Sequence, residues 1–211
     1  METQQQRQAT GAEGSAIDVF AERLVLASAS PRRSEILQAV GWPFDKSPAD
    51  IDETRLPGED PVAYVERLAQ EKATKIAANY PSRLIVGADT TVVVEGELLG
   101  KPVDASDARR MLLLLNGRWH EVVTGLALIR NGASGVEIQR VAHERTRVKF
   151  ADMTANEIEW YVATGEPMDK AGAYAIQGRG ARFIEGIQGD YLNIVGLPVH
   201  LLYKLCQNRL R

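Results

Sequence analysis

The sequence is poor in the residues that staple, span or chelate. A single cysteine, Cys206, among 211 residues excludes an internal disulfide and any CxxC metal or redox motif, which suits a reducing compartment. With no histidine near it in the chain, Cys206 reads as a buried residue of the last helix and not as a nucleophile. The three histidines, His120, His143 and His200, stand singly without ligand spacing, so a zinc site is not expected. No apolar run nears the ~18 residues of a membrane span, MLLLL and TVVV being the longest candidates. There is no GxxxxGK[ST] phosphate loop, no internal repeat and no low-complexity core. Charge of either sign is nearly balanced, at net −3 with a pI near 5.7. That gives no global reason to bind nucleic acid or an acidic membrane, so any polyanion must be met by a local basic pocket and is expected to be small. The opening METQQQRQATGAEGSA is polar and Gln-rich and lacks the apolar segment of a signal peptide. Residues 1–22 are expected to form a disordered extension, and residues 23–211 a single domain.

What is present is an ordinary globular balance, 45% hydrophobic and 25% charged, enough for one substantial core. LVLA (24–27) reads as a short buried strand, followed by a helix from Pro31 to about 40 with Ser30 as N-cap. WPFDKSPADIDETRLPGEDP is a long, carboxylate-rich connection, and connections of that length without structure of their own tend to be functional. Asp60-Pro61 caps a helix to about 79, with Val62, Val65, Leu68, Ala69, Ala73 and Ile76 on one face. LIVGADTTVVV is a second buried strand with an irregularity expected at Gly87-Ala88, and ELLGKPVDASDA is a turn before a helix at 105–115. WHEVVTGLALIR and VEIQRVAHERTRVKF flank NGASG as a hairpin. Thr154 with Glu157 forms a capping box, and a last helix is expected at 198–209. Strands, helices and one long hairpin in this mixture imply an α/β fold with a mixed sheet.

Two arginines in the first turn of the first helix oppose its dipole, which calls for an anion. Ser28, Ser30, Arg32 and Arg33 stand at the carboxyl end of a strand and at a helix N-terminus, where open α/β sheets bind phosphate. A triphosphate would suit two guanidiniums and free backbone N–H groups; equally, the arginines could face solvent or pair with Asp50 or Glu53. Asp89 is a carboxylate inside an apolar strand, a costly placement that suits either a hard cation such as Mg²⁺ or a general base. Lys101 in GKP lies in a turn that could bring its ammonium to the same pocket, or could simply be a surface lysine. Asp169, Lys170 and Gln177 lie in a glycine-bearing stretch that allows close approach to a ligand, or in an ordinary turn. Arg140, His143, Arg145, Arg147 and Lys149 read as one solvated strand face, without the interleaved aromatics that stack bases.

The ordered set LASASPRR, DIDE, LAQEKA, VGADTTV, LGKP, HEVVTG, EPMDKAGAYAIQG and GDYLNIVGLP resembles the Maf family of nucleoside triphosphate pyrophosphatases across roughly residues 24–207. The resemblance implies a strongly twisted mixed sheet flanked by helices, with two lobes around a nucleotide cleft, similar to inosine-triphosphate pyrophosphatases. It implies hydrolysis of a nucleoside triphosphate to monophosphate and pyrophosphate with a divalent cation, Mg²⁺ or Mn²⁺; a cytoplasmic location is the expectation from the single cysteine. By position, Asp89 matches the family's proton acceptor. Arg32, Thr90 and Gln177 match positions tied to substrate choice, and Glu53, Lys101 and Lys170 match pocket residues that hold metal or phosphate. The expected site is therefore Asp89, Glu53 and Lys101 for catalysis, with Ser28, Arg32, Arg33, Thr90, Lys170 and Gln177 on the substrate and Asp89 with Glu53 on the metal. The motifs resemble the branch acting on dTTP and UTP more than that acting on 7-methyl-GTP. The alternatives are the same chemistry on 7-methyl-GTP or modified pyrimidine triphosphates, and a non-catalytic nucleotide-binding regulator of cell division. A homodimer would be ordinary for such an enzyme.

Overall fold

The computed structural model describes residues 22–208, so the expected N-terminal extension lies, but for Glu22, outside the described residues. Among the described residues the order is β1 (Leu24–Leu26), α1 (Pro31–Ala39), β2 (Phe44–Lys46), α2 (Pro61–Ala77), β3 (Ile85–Val94) and β4 (Glu97–Leu99). Then follow α3 (Ala105–Leu115), β5 (Trp119–Gly132), β6 (Gly135–Phe150), α4 (Ala155–Ala163), β7 (Ile184–Gln188), α5 (Tyr191–Val195) and α6 (Val199–Cys206). Three short 3-10 turns lie between α4 and β7. The strands form one mixed sheet in the order β2-β1-β3-β5-β6-β7, with β4 folded back on β3. β1 runs parallel to β2 and β3, and the remaining pairs are antiparallel. The mixed sheet flanked by helices is as the sequence implied.

The helix boundaries follow local chemistry. Asp60 accepts from the backbone N–H groups of Val62 and Ala63 ahead of α2, and Thr154 with Glu157 closes both halves of a capping box on α4. Four short elements escaped the sequence pattern: β2 inside the long connection, β4 inside the supposed turn, β7, and α5. Strands of three residues show no period, because their existence depends on a neighbour they pair with. The irregularity expected at Gly87-Ala88 is absent, since β3 pairs with β5 without a break from Ile85 to Val93. Gly87 is there for another reason. A Cβ on it would stand 2.0 Å from the Ala69 carbonyl oxygen, and one on Gly125 would stand 2.3 Å from the Val65 carbonyl oxygen. Two glycines thus let the α2 backbone rest directly on β3 and β5.

The basic strand residues do not share one face. His143, Arg145, Arg147 and Lys149 alternate onto one face, where His143 pairs with Glu66 of α2 at 2.8 Å, but Arg140 lies on the other and donates to the Leu205 and Cys206 carbonyls at the end of α6.

On the face away from α2, the sheet carries two cores. Leu24, Leu26, Val86, Ala88, Leu126 and Leu128 pack with α1 and α6. Val92, Val94, Val122, Val148 and Phe150 pack with α3 and α4. Between them runs a polar seam: the Thr90 and Thr124 hydroxyls meet at 2.9 Å, Thr124 donates to the Asn193 carbonyl, and the Asn193 amide donates to the Val122 carbonyl and the Thr146 hydroxyl. Two lobes therefore meet at the middle of β3.

Candidate active site

The same midpoint of β3 is where strand pairing gives out on one edge. β1 pairs with Ile85 and Val86, and β4 pairs with Val92 to Val94. The edge between them has no strand neighbour, so the backbone there must find other partners. Arg33 supplies them from α1. Its Nη1 donates to the Ala88 carbonyl and the Ser28 hydroxyl at 2.9 Å each, its Nε to the Gly196 carbonyl at 2.8 Å, and its Nη2 to the Thr90 hydroxyl at 3.2 Å. Arg33 is only 8% exposed, and burial pulls its pKa below the ordinary value against the opposing charge of Asp89. It neither faces solvent nor pairs with Asp50 or Glu53; it knits β1, β3 and the end of α5 together.

Arg32, the next residue back, points across the gap. Its Nη1 lies 3.0 Å from Asp169 Oδ2, and its Nη2 donates to the Asp169 carbonyl at 3.4 Å. Ser30 precedes the helix as expected but its side chain makes no cap bond; the Ser28 hydroxyl accepts from the Ser30 N–H instead.

Asp89 sits in the unpaired stretch of β3 on the α2 face, 8% exposed. Its Oδ1 is 2.6 Å from Lys72 Nζ, and the same ammonium is 2.7 Å from Glu53 Oε1. Lys72 was not anticipated. Its sequence signal is visible afterwards: it occupies a position in the stripe Val65, Leu68, Ala69, Ala73, Ile76 that α2 buries against the sheet, where an apolar residue belongs. Burial pushes the Asp89 carboxyl above the usual carboxylate range, while Lys72 and Arg33 pull the other way. Glu53 is held from behind, its carbonyl accepting from the Tyr64 hydroxyl at 3.0 Å and the neighbouring Thr54 carbonyl accepting from Arg67 at 3.2 Å. Burial first, then the charges of Asp89 and Glu53, push the Tyr64 phenol up to about 12, so it stays a donor. The long connection is thus tied down on α2.

The far side of the gap is built from the second lobe. The Gly172 N–H donates to the Gly100 carbonyl, bringing the turn before Lys101 beside the turn that carries Lys170. Lys170 Nζ donates to the Glu166 carbonyl at 2.8 Å and lies 2.5 Å from Asp169 Oδ1. Lys101 is exposed and has no ion-pair partner among the described residues. Gln177 stands exposed on a loop whose shape is set by Glu166: that carboxylate accepts from the Tyr161 hydroxyl and from the N–H groups of Arg179 and Gly180, each at 2.9 Å. Glu166 is a second residue that the sequence did not single out; its partners come from the helix before it and the loop after it, which only the folded chain brings to one carboxylate.

Expected site residues from both lobes thus gather about the open edge of β3: Ser28, Arg32 and Arg33 on one side, Asp89 on the α2 face of the strand with Glu53 beside it and Thr90 on the opposite face, and Lys170 across from Arg32 with Lys101 on the adjoining turn, Gln177 lying on the loop beyond. The donor set suits a hard divalent cation, for Asp89 and Glu53 are both oxygen ligands and already gather round a positive charge. Among the described residues no cluster of three or more His, Cys, Asp or Glu could hold a metal by itself. A surface depression lined by Arg23, Pro31, Ser34, Trp42 and Phe44 lies outside α1 and includes none of these residues.

A family model described as Maf-like protein matches residues 23–209. A dTTP/UTP pyrophosphatase of Symbiobacterium thermophilum is 51% identical over 179 residues, covering 85% of this chain and 90% of its own. A dTTP/UTP pyrophosphatase of Anaeromyxobacter dehalogenans (strain 2CP-C) is 53% identical over 181 residues, again 85% and 90%. Among solved structures, the Staphylococcus aureus Ham1 protein aligns over 90% of this chain and 100% of its own, at 14% identity and a TM-score of 0.49.

Proposed function

The chain belongs to the Maf family, and from that premise we propose that it hydrolyses dTTP and UTP to the nucleoside monophosphate and pyrophosphate. The observation that carries the reading is the buried Asp89–Lys72 pair, with the exposed Glu53 carboxylate on the same ammonium, where β3 has no strand neighbour on one edge and cations from both lobes face it. Asp89 is the base. Desolvation raises its proton affinity above that of an ordinary carboxylate and the Lys72 ammonium holds it in place, so it can take the proton of an attacking water. Arg32, Lys170 and Lys101 bind the phosphates and neutralise charge developing on the departing pyrophosphate. Arg33 positions: its bonds to Ser28, Thr90 and Ala88 fix the shape of the gap. Thr90 and Gln177 are assigned to substrate choice, together with Arg32.

Asp89 and Glu53 would hold a divalent cation, Mg²⁺ or Mn²⁺, with phosphate and water filling the remaining positions. Such an ion, when bound, supplies charge neutralisation at the phosphates. No described helix is long and apolar enough to cross a membrane. A lone thiol and a nucleotide substrate support a cytoplasmic location.

The test is pyrophosphate release with Mg²⁺ or Mn²⁺ across dTTP, UTP, CTP, GTP, ITP and 7-methyl-GTP, with Asp89→Asn beside the wild type. Turnover concentrated on dTTP and UTP, cut by at least ~10² in the variant, is expected. Binding of either nucleotide without pyrophosphate release would instead make the chain a nucleotide-binding regulator.

A further inference from the structure

Asp169 has no part in the mechanism above, yet it touches two of the cations that mechanism uses. Its Oδ2 takes Arg32 from α1 at 3.0 Å, and its Oδ1 takes Lys170 at 2.5 Å. The two come from opposite sides of the gap, 137 residues separating Arg32 from Asp169 in the chain. These are the distances of charge-assisted hydrogen bonds, the kind a phosphoryl oxygen would make with the same groups. Two of the three phosphate-binding cations, Arg32 and Lys170, are therefore already engaged by Asp169, while the neighbouring Lys72 is held by Asp89 and Glu53 and Arg33 by carbonyls and hydroxyls. Of these acceptors Asp169 is the one made to leave. Its side chain is 62% exposed, against 11% for Asp89, and it sits at the end of a short 3-10 turn rather than in the sheet; Glu53 is nearly as exposed, at 54%, but pairs with neither Arg32 nor Lys170 and its segment is tied to α2 through Tyr64 and Arg67.

We propose that Asp169 is a resident counter-ion that stands where phosphate will bind, so that substrate enters, and products leave, by exchange with its carboxylate on Arg32 and Lys170. The inference rests on the pyrophosphatase reading for the identity of substrate and products. A carboxylate offers one charge shared by two oxygens. A triphosphate brings several, and displaces it; a nucleoside monophosphate or free pyrophosphate, with fewer charges to offer, competes less well and is returned to solvent as Asp169 closes on the two cations again. The residue would thus set a threshold of charge for occupancy and speed the release of products, a step that often limits turnover.

The experiment compares Asp169→Asn and Asp169→Glu with wild type in the full-length protein. Readouts are KM and kcat for dTTP, inhibition constants for dTMP and pyrophosphate, and calorimetric affinity for inorganic pyrophosphate alone. For Asp169→Asn, KM and both inhibition constants should fall about three- to tenfold, a modest factor because the pair is exposed, and kcat should fall with them. Asp169→Glu should return all of these toward wild type. A raised KM with unchanged inhibition constants would overturn the proposal, showing that Asp169 merely aligns the cations. Recovery of Asp169→Asn by excess Mg²⁺ would overturn it too, making Asp169 a metal ligand. Should wild type release no pyrophosphate from dTTP or UTP, the activity reading fails, and the calorimetric affinities still decide the counter-ion.

Discussion

At the scale of single residues, the site depends on a charge that burial alone would not tolerate. Lys72 is 7% exposed and Asp89 8%, and each is the other's compensation. Removing one member of such a pair leaves an uncompensated buried charge, a loss of about 3–5 kcal/mol in fully buried examples. Lys72→Met should therefore lower unfolding free energy by about 2–4 kcal/mol, somewhat less than that range because Arg33 also faces Asp89. Adding Asp89→Asn to Lys72→Met should restore part of that stability, since the carboxylate left without its ammonium is then neutral while Arg33 keeps its carbonyl and hydroxyl partners. Urea unfolding of the two singles and the double closes the cycle, and simple additivity would show that the pair is not coupled. Asp89 was legible in the sequence because one carboxylate interrupts a run of apolar residues. Lys72 was not, because a lysine on a helix is ordinary until the sheet against which its face packs is known.

At the scale of elements, α2 is the part that turns sequence into geometry. It presents Lys72 to Asp89, holds Glu53 through Tyr64, and anchors the connection before it through Arg67. All of this depends on how closely the helix lies on the sheet. Gly87→Ala would bring a methyl group to 2.0 Å from the Ala69 carbonyl and 2.9 Å from the Ala73 nitrogen, both backbone atoms of α2. The helix has to lift, and overpacking against backbone costs about 1–3 kcal/mol. Because Lys72 lies between Ala69 and Ala73, lifting also moves its ammonium from Asp89. Gly87→Ala should lose activity beyond what the lost stability explains, seen as reduced kcat in protein that circular dichroism shows to be fully folded. Unchanged kcat in the folded variant would mean that the site does not depend on this contact. Glycine in a strand is legible as a signal of close approach or irregularity; which of the two it marks depends on what packs above it.

At the scale of the whole molecule, two lobes share the long strands β3 and β5 and meet at the seam through Thr90, Thr124 and Asn193. The long elements with clear periods, α2, α3, β3 and the β5–β6 hairpin, were readable from the chain. The pairing of β1 with both β2 and β3, the gap on the edge of β3, and the bridge from Arg32 to Asp169 are relations between distant segments, and no local pattern carries them. The second lobe has its own dependence on pH. His120 is 3% exposed in the core beside Phe150 and bonded to the Tyr174 hydroxyl at 2.8 Å, and burial lowers its pKa to about 4. The unfolded chain takes up a proton near pH 6.5 that the folded chain refuses until about pH 4, so stability should fall as pH drops through that window and level off below it. The full difference is about 3 kcal/mol. It should appear as a urea midpoint that declines between pH 7 and 4 more steeply in wild type than in His120→Gln, whose amide keeps a partner for Tyr174 without the titration. Parallel declines would place the acid sensitivity elsewhere, in the exposed carboxylates that pair on the surface. A steeper wild-type decline would tie it to His120, buried beside Phe150 and Tyr174 in the second lobe.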